Sequence, residues 1–294
     1  MRVHLVDGTY ELFRHHFGAP SHLDASGREV SAARGVLNSM LGMLEDGATH
    51  VGIATDHVIE SFRNDLYDGY KDGSDMEPEI LGQFQLLEDV LEAAGFSVFA
   101  MVEYEADDAL GAGARRAAAD DRVEQVWICT PDKDLGQCVT ADSRIVQYDR
   151  RKQQLIDYAG VTEKFGVPPE SIPDYLGLVG DTADGFPGLP GWGAKSAAAV
   201  LARYGHIEAI PAAPGQWDVA VRGAAKLAAT LQERVDEALL FRRIATLDYD
   251  APTFGSIEEL EWQGPGSDFA GLAAAIDADR QVGRATKIAE GRFG

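Results

Sequence analysis

Carboxylates recur in this chain at places where a fold can gather them: Asp7, Asp56, the set Glu105, Asp107 and Asp108, the pair Asp132 and Asp134, and finally Asp181 and Asp184. Hard oxygen donors of this kind suit Mg²⁺, or Mn²⁺, better than softer ions. Two such ions ~3.5–4 Å apart acidify a water and neutralise charge around phosphorus, which is what phosphodiester hydrolysis near neutral pH requires. His is scarce near these motifs and Cys is absent from all but one neighbouring strand, which argues against Zn²⁺. Just after Asp184 comes a Gly/Pro-dense turn, GFPGLPGWG, that opens a helix over Ala194–Tyr204. Glycines at 188, 191 and 193 let the backbone lie close to a ligand, and the first free N–H groups of the helix favour an anion such as phosphate. Lys195 adds a point charge and Ser196 a hydroxyl at the same end. Acids for metal and amides for phosphate, a few residues apart, point to a protein that cuts or grips nucleic acid.

These groups need a scaffold, and the first two-thirds of the chain supplies one. Short β-branched runs predict strands at Val3–Val6, Val51–Ala54, Phe96–Val102, Val126–Cys129 and Arg144–Tyr148. Helical patterns fall between them, at Ala33–Glu45, Glu79–Ala94 and the Ala-rich Ala106–Ala119. This alternation predicts an α/β fold with a parallel sheet covered by helices. Four of the strands deliver carboxylates at their C-terminal ends, where open α/β sheets place their ligands. A single such Asp is commonly a helix cap. Four on one sheet edge would repel unless cations held them, so a metal cluster is the better reading. Glu105, Asp107 and Asp108 converge only if their segment is the turn from strand to helix, and Asp132 and Asp134 share a side if Thr130–Asp134 stays extended.

Past about Tyr158 the texture becomes helical: short pieces at Val161–Phe165 and Ser171–Val179, the turn and its helix, and a longer helix near Ala224–Ile244. A weak strand signal remains around Ala245–Tyr249. The expected division is therefore a nuclease-type core over residues 1–160 and a helical region over 161–294.

The 294 residues are enough for one large or two modest domains. The start, MRVHLVDGTY, reaches an Asp too soon for a signal peptide, and no apolar run approaches membrane length. A cytoplasmic location with no membrane association is expected, and Cys129 and Cys138 read as small buried thiols. The net charge of −22 is unusual for a phosphate binder, and the nine candidate ligands do not account for it. Nucleic-acid contact must then rest on local cations such as Arg150-Arg151-Lys152, Lys195, and Arg222 with Lys226, because distant fields are screened at physiological salt.

Taken together, LVDGTYELFR, SFRNDLYDGYK, EYEADDALG, TPDKDLGQ and GDTADGFPGLPGWGAKSA resemble the 5′-nuclease (flap endonuclease) family, in order over roughly residues 3–205. The resemblance implies a PIN-like parallel-sheet core and a helix–three-turn–helix DNA-binding region. It implies a metal-dependent 5′–3′ exonuclease or 5′-flap endonuclease of replication or repair, standing alone without a polymerase and acting as a monomer. It assigns all nine acids to two or more Mg²⁺ or Mn²⁺ ions. It gives catalytic roles at the scissile phosphate to Lys71 and Arg63, within a flexible arch over about residues 57–78. It gives duplex gripping to Gly191, Gly193, Lys195 and Ser196, with K⁺ on the carbonyls of that turn. Two departures stand out. Six acids (Glu60, Asp65, Asp68, Asp72, Asp75 and Glu77) occupy an arch that is usually basic, and Gly185 replaces the usual Asn.

Three rival readings compete with this one. A haloacid-dehalogenase-type phosphatase would need a nucleophilic Asp two residues before Asp7, where Leu5 stands. A P-loop would need Gly immediately before Lys195, where Ala194 stands, and another where Leu189 stands. A protein that binds branched or 5′-ended DNA with little cleavage is the remaining alternative, motivated by the acidic arch.

Overall fold

A computed structural model describes all residues 1–294. The chain divides into two compact units, one of Met1–Ile59, Gly73–Thr130 and Tyr249–Gly294, the other of Glu60–Asp72 and Pro131–Asp248.

In the first unit, β1 (Arg2–Asp7), β2 (His50–Asp56), β3 (Ser97–Met101) and β4 (Gln125–Cys129) are parallel, in the order β3-β2-β1-β4. Val3, Leu5, Val6 and Ile53 are wholly buried, as expected for strands with helices on both faces. Strand order reverses between β1 and β4, and such a switch point opens a crevice at the C-terminal strand ends. The covering helices are Gly8–Gly18, Ser31–Glu45, Phe84–Ala93 and Ala106–Ala118. Cys129 is buried and forms no disulfide, and the same holds for Cys138 in the second unit.

The helix expected over Glu79–Ala94 is broken into Pro78–Leu81 and Phe84–Ala93. Gln83 explains the break. Its Oε1 accepts from the N–H groups of Ala32 and Ala33, capping the helix Ser31–Glu45, which has no side-chain cap of its own. The end of the chain also departs from expectation. Helices Phe269–Ala274 and Asp279–Phe293 belong to the first unit, not to a helical region running from 161 to 294. Trp262 is buried there with its Nε1 donating to Ala94 O at 2.8 Å, and Arg284 forks onto Glu45 at 2.6 Å.

The second unit carries an antiparallel hairpin, β5 (Ile145–Asp149) and β6 (Gln154–Ile156); β6 is too short and polar to read from the sequence. Its helices are Tyr158–Phe165, Ile172–Val179, Ala194–Tyr204, Ala224–Glu233 and Val235–Ala245. The long helix expected to Ile244 is interrupted at Arg234, whose guanidinium turns onto Glu237. No strand forms around Ala245–Tyr249; the Leu247 N–H is taken by the side chain of Gln137. Phe186 and Phe241 stack at 5.6 Å within a core that includes Leu178, Trp192 and Leu201. Trp192 and Trp217 are packing residues, their Nε1 groups donating to Leu227 O and Pro211 O. No helix is long and apolar enough to cross a membrane.

Within the expected arch, residues 60–72 carry a short helix and a buried aromatic. Ser61 and Asn64 form a capping box on the helix Phe62–Leu66, and Tyr70 is buried in the core of the second unit.

Candidate metal centre and phosphate-binding turn

Five of the acids lie at the C-terminal edge of the parallel strands. Asp7 ends β1 and caps the following helix: Oδ1 accepts from the Tyr10 N–H at 2.7 Å, and Oδ2 accepts from the Thr130 hydroxyl at 2.9 Å. Asp56 ends β2, and its Oδ1 accepts from the Ala106 N–H at 2.7 Å. Glu105 caps the helix Ala106–Ala118 and exchanges hydrogen bonds with Asp108, whose Oδ2 accepts from the Glu105 N–H at 3.0 Å. The segment is thus the strand-to-helix turn that convergence required, with Asp107 in the first helical turn. These hydrogen bonds fix where the carboxylates sit, each at the end of a strand or the start of a helix.

The other four acids belong to the second unit. Asp132 and Asp134 do not lie on an extended segment as expected. Lys133 between them has helical dihedrals (φ −70°, ψ −29°), and Asp132 Oδ1 accepts from the Asp134 N–H at 2.9 Å. Asp134 then opens a 3₁₀ turn to Cys138. Asp181 follows Gly180, at the end of the helix Ile172–Val179, and is held by a two-way backbone pair with Phe186 at 2.8 and 3.0 Å. Asp184 is tied to Lys71 twice: its carbonyl accepts from the Lys71 N–H at 3.1 Å, and its carboxylate lies 2.9 Å from Nζ. Gly185 has φ +87°, and a Cβ there would lie 2.1 Å from Gly69 O, so the usual Asn would not fit this turn unchanged.

Asp134, Asp181 and Asp184 bring one oxygen each within 4.8 Å of one another. Asp134 is 7% exposed, and its Oδ1 has no hydrogen-bond partner. Burial first, then the charges of Asp132 and Asp184, push its carboxyl well above the usual carboxylate range. A buried carboxylate with one oxygen lacking a hydrogen bond, grouped with two further carboxylates, fits a hard divalent cation. Lys133 was given no role from the sequence although it lies inside the DKD motif. Its Nζ bonds Asp181 Oδ2 and lies 3.9 Å from Asp134 Oδ1. Burial works against that charge, but Asp134, Asp181 and Asp132 outweigh it and raise the lysine.

Arg63 is placed differently from the expectation of a phosphate contact. It is 2% exposed, donates to Ile244 O at 2.8 Å and Thr246 O at 3.2 Å, and stacks on Phe62. Arg63→Ala is therefore expected to cost ~2–4 kcal/mol of stability in a urea melt, through unpaired carbonyls and a cavity. The folded fraction should keep turnover within a few-fold. A large kcat loss at unchanged stability would restore the catalytic reading.

At the turn, Gly191 has φ +86°, a backbone that only glycine adopts without strain, whereas Gly193 has an ordinary extended φ of −145°. A Cβ at either position would meet no atom of the protein within 4 Å. Ser196 Oγ accepts from the Gly193 N–H at 3.0 Å and anchors the helix start, leaving Lys195 exposed beside it.

Two family models match consecutive parts of the chain: the 5′–3′ exonuclease N-terminal resolvase-like domain over residues 2–166 and the 5′–3′ exonuclease C-terminal SAM fold over 167–268. The chain belongs to the 5′–3′ exonuclease family. It is 32% identical to DNA polymerase I of Bacillus caldotenax over 269 residues, covering 88% of this chain and 29% of that one. It is 34% identical to DNA polymerase I of Pseudomonas aeruginosa over 266 residues, covering 87% and 28%. The chain thus spans less than a third of the length of these relatives. Among solved structures it resembles the T5 D15 protein co-crystallised with metal ions (TM-score 0.65, 19% identity, 98% of this chain and 100% of that one). It also resembles the catalytic core of Rad2 in complex with DNA substrate (TM-score 0.62, 12% identity, 98% and 92%). The family boundary at 166/167 lies near the expected division at 160, while the compact units place residues 60–72 and 131–160 with the helical part.

Proposed function

We propose that this member of the 5′–3′ exonuclease family is a divalent-metal-dependent nuclease that acts as a monomer on 5′ ends and 5′ flaps of DNA. The observation that carries the reading is Asp134, buried with its Oδ1 lacking a hydrogen-bond partner, whose carboxylate brings one oxygen within 4.8 Å of an oxygen of Asp181 and of Asp184. Mg²⁺ or Mn²⁺ suits this all-oxygen donor set, and Asp7, Asp56, Glu105, Asp107, Asp108 and Asp132 are the further candidate ligands. When bound, such ions acidify a water and neutralise charge on the phosphate in flight.

The protein's own groups do the positioning. Lys71 carries a flexible ammonium beside Asp184, placed to offset charge on the scissile phosphate. The turn at Gly191 and Gly193, with the first amides of the helix Ala194–Tyr204, Lys195 and Ser196, grips a duplex phosphate, and its carbonyls suit K⁺. Cleavage would leave a 5′-phosphate and a 3′-hydroxyl.

Incubating the protein with a 5′-labelled flap duplex and Mg²⁺ or Mn²⁺ tests the reading. Cleavage abolished by EDTA is the expected outcome, while firm binding without cleavage would favour a DNA-binding role. Gly193→Ala tests the grip separately. Its methyl would meet no protein atom, so the melting temperature should not change, while duplex Kd should rise about tenfold, or ~1.4 kcal/mol. Unchanged affinity would remove Gly193 from the DNA contact.

A further inference from the structure

The acid cluster contains its own cations, and one of them is bonded to a carboxylate of the candidate metal triad. Lys133 Nζ bonds Asp181 Oδ2 and approaches Asp134 Oδ1, the unpartnered oxygen, to 3.9 Å. Lys71 is different: it reaches Asp184 from the separate segment 60–72. The backbone at Lys133 is set by the Asp132–Asp134 turn, whereas its side chain, a third exposed, is a flexible four-carbon stem ending in a compact charge. Three carboxylates this close repel one another, and an ammonium among them offsets that repulsion.

We infer that Lys133 is an exchangeable counter-ion: it holds Asp181 until a divalent cation takes that carboxylate, and is then released toward the phosphate of the substrate. This rests on the metal-dependent nuclease reading above. An ammonium and a divalent cation repel one another at the same carboxylate, so the apparent metal affinity is the intrinsic affinity reduced by the fraction of molecules in which Lys133 has let go of Asp181. Release also creates a free ammonium at the site only once metal has arrived. Metal and DNA binding then strengthen each other, by the same factor in both directions. A lysine suits this better than an arginine, whose forked guanidinium would grip the carboxylate in two places and exchange less readily.

The test is a Mn²⁺ titration of the full chain without DNA at pH 8, followed by calorimetry or by the electron paramagnetic resonance signal of free Mn²⁺. Lys133→Gln and Lys133→Met should bind Mn²⁺ at least about fivefold more tightly than wild type, and Lys133→Arg should bind no more tightly than wild type. In thermal melts, the Gln and Met variants should have a lower transition without metal and a larger rise on adding Mn²⁺. A lysine with only a structural role would, on removal, leave Mn²⁺ affinity equal or weaker, and that result overturns the inference. Wild type that binds Mn²⁺, with loss of binding in Asp181→Asn and no gain in Lys133→Gln, would sink the exchange and leave the nuclease reading standing. Failure of the wild type to bind Mn²⁺ would sink both.

Discussion

Asp134→Asn is expected to lower kcat at least about a thousandfold while flap-DNA affinity measured in EDTA stays within about twofold. Asn keeps the shape of Asp and takes away the charge of a buried carboxylate whose Oδ1 has no hydrogen-bond partner. A neutral amide oxygen is a poorer ligand for a hard divalent ion, so charge neutralisation at the phosphate is lost with it. The same substitution should raise the melting temperature measured in EDTA. In the folded protein Asp134 ionises against burial and against the charges of Asp132 and Asp184, which raises its pKa above the unfolded value. A carboxyl whose folded pKa is raised favours the native state less as pH rises through the window above its unfolded pKa, and Asn removes that penalty. Lower turnover with higher stability is the signature of a functional group held under electrostatic strain. Steady-state cleavage, fluorescence anisotropy with a labelled flap and a thermal melt together check it. Near-normal kcat would take Asp134 out of the centre.

Lys71→Ala is expected to reduce kcat/KM by about a hundredfold, with Lys71→Arg recovering a substantial part. The backbone at Lys71 is held by its neighbours, its N–H on Asp184 O at 3.1 Å and its carbonyl accepting from Asn64 Nδ2 at 3.0 Å. Truncation therefore removes the ammonium without moving the chain, and the fold should melt as wild type. Partial rescue by Arg separates a charge effect from a packing effect, because Arg restores the cation with a different shape. If Ala cleaves within a few-fold of wild type, the phosphate is neutralised by other groups.

The placement of Arg63 and Lys133 bears on how an acidic chain of this kind would hold a phosphate. With a net charge of −22, every cation close to the acids matters, and Arg63 is spent inside the second unit. Lys71 and Lys133 both pair with carboxylates of the triad, so each becomes available to phosphate only as those carboxylates find another cation. Phosphate binding in such a protein should depend on metal more strongly than in a basic one.

Much of the scaffold was legible in the chain. The β-branched runs matched β1 to β5 to within two residues, and the helix Ala194–Tyr204 matched its expected ends, because both signals depend on neighbours along the backbone. Asp7, Asp56 and Asp181 were legible for the same reason: each directly ends or follows a regular element. What sequence could not show depends on atoms far apart in the chain. Gln83 breaks its own helix to cap one fifty residues away, Arg63 is buried on carbonyls some 180 residues on, and Trp262 and Arg284 draw the C-terminal helices onto the first unit. Lys133 could be read as a charge between two acids, but only the fold brings Asp181 to its ammonium. Local geometry set where the carboxylates point. Long-range packing decided which cations they hold, since a charge's partner is chosen by proximity in space.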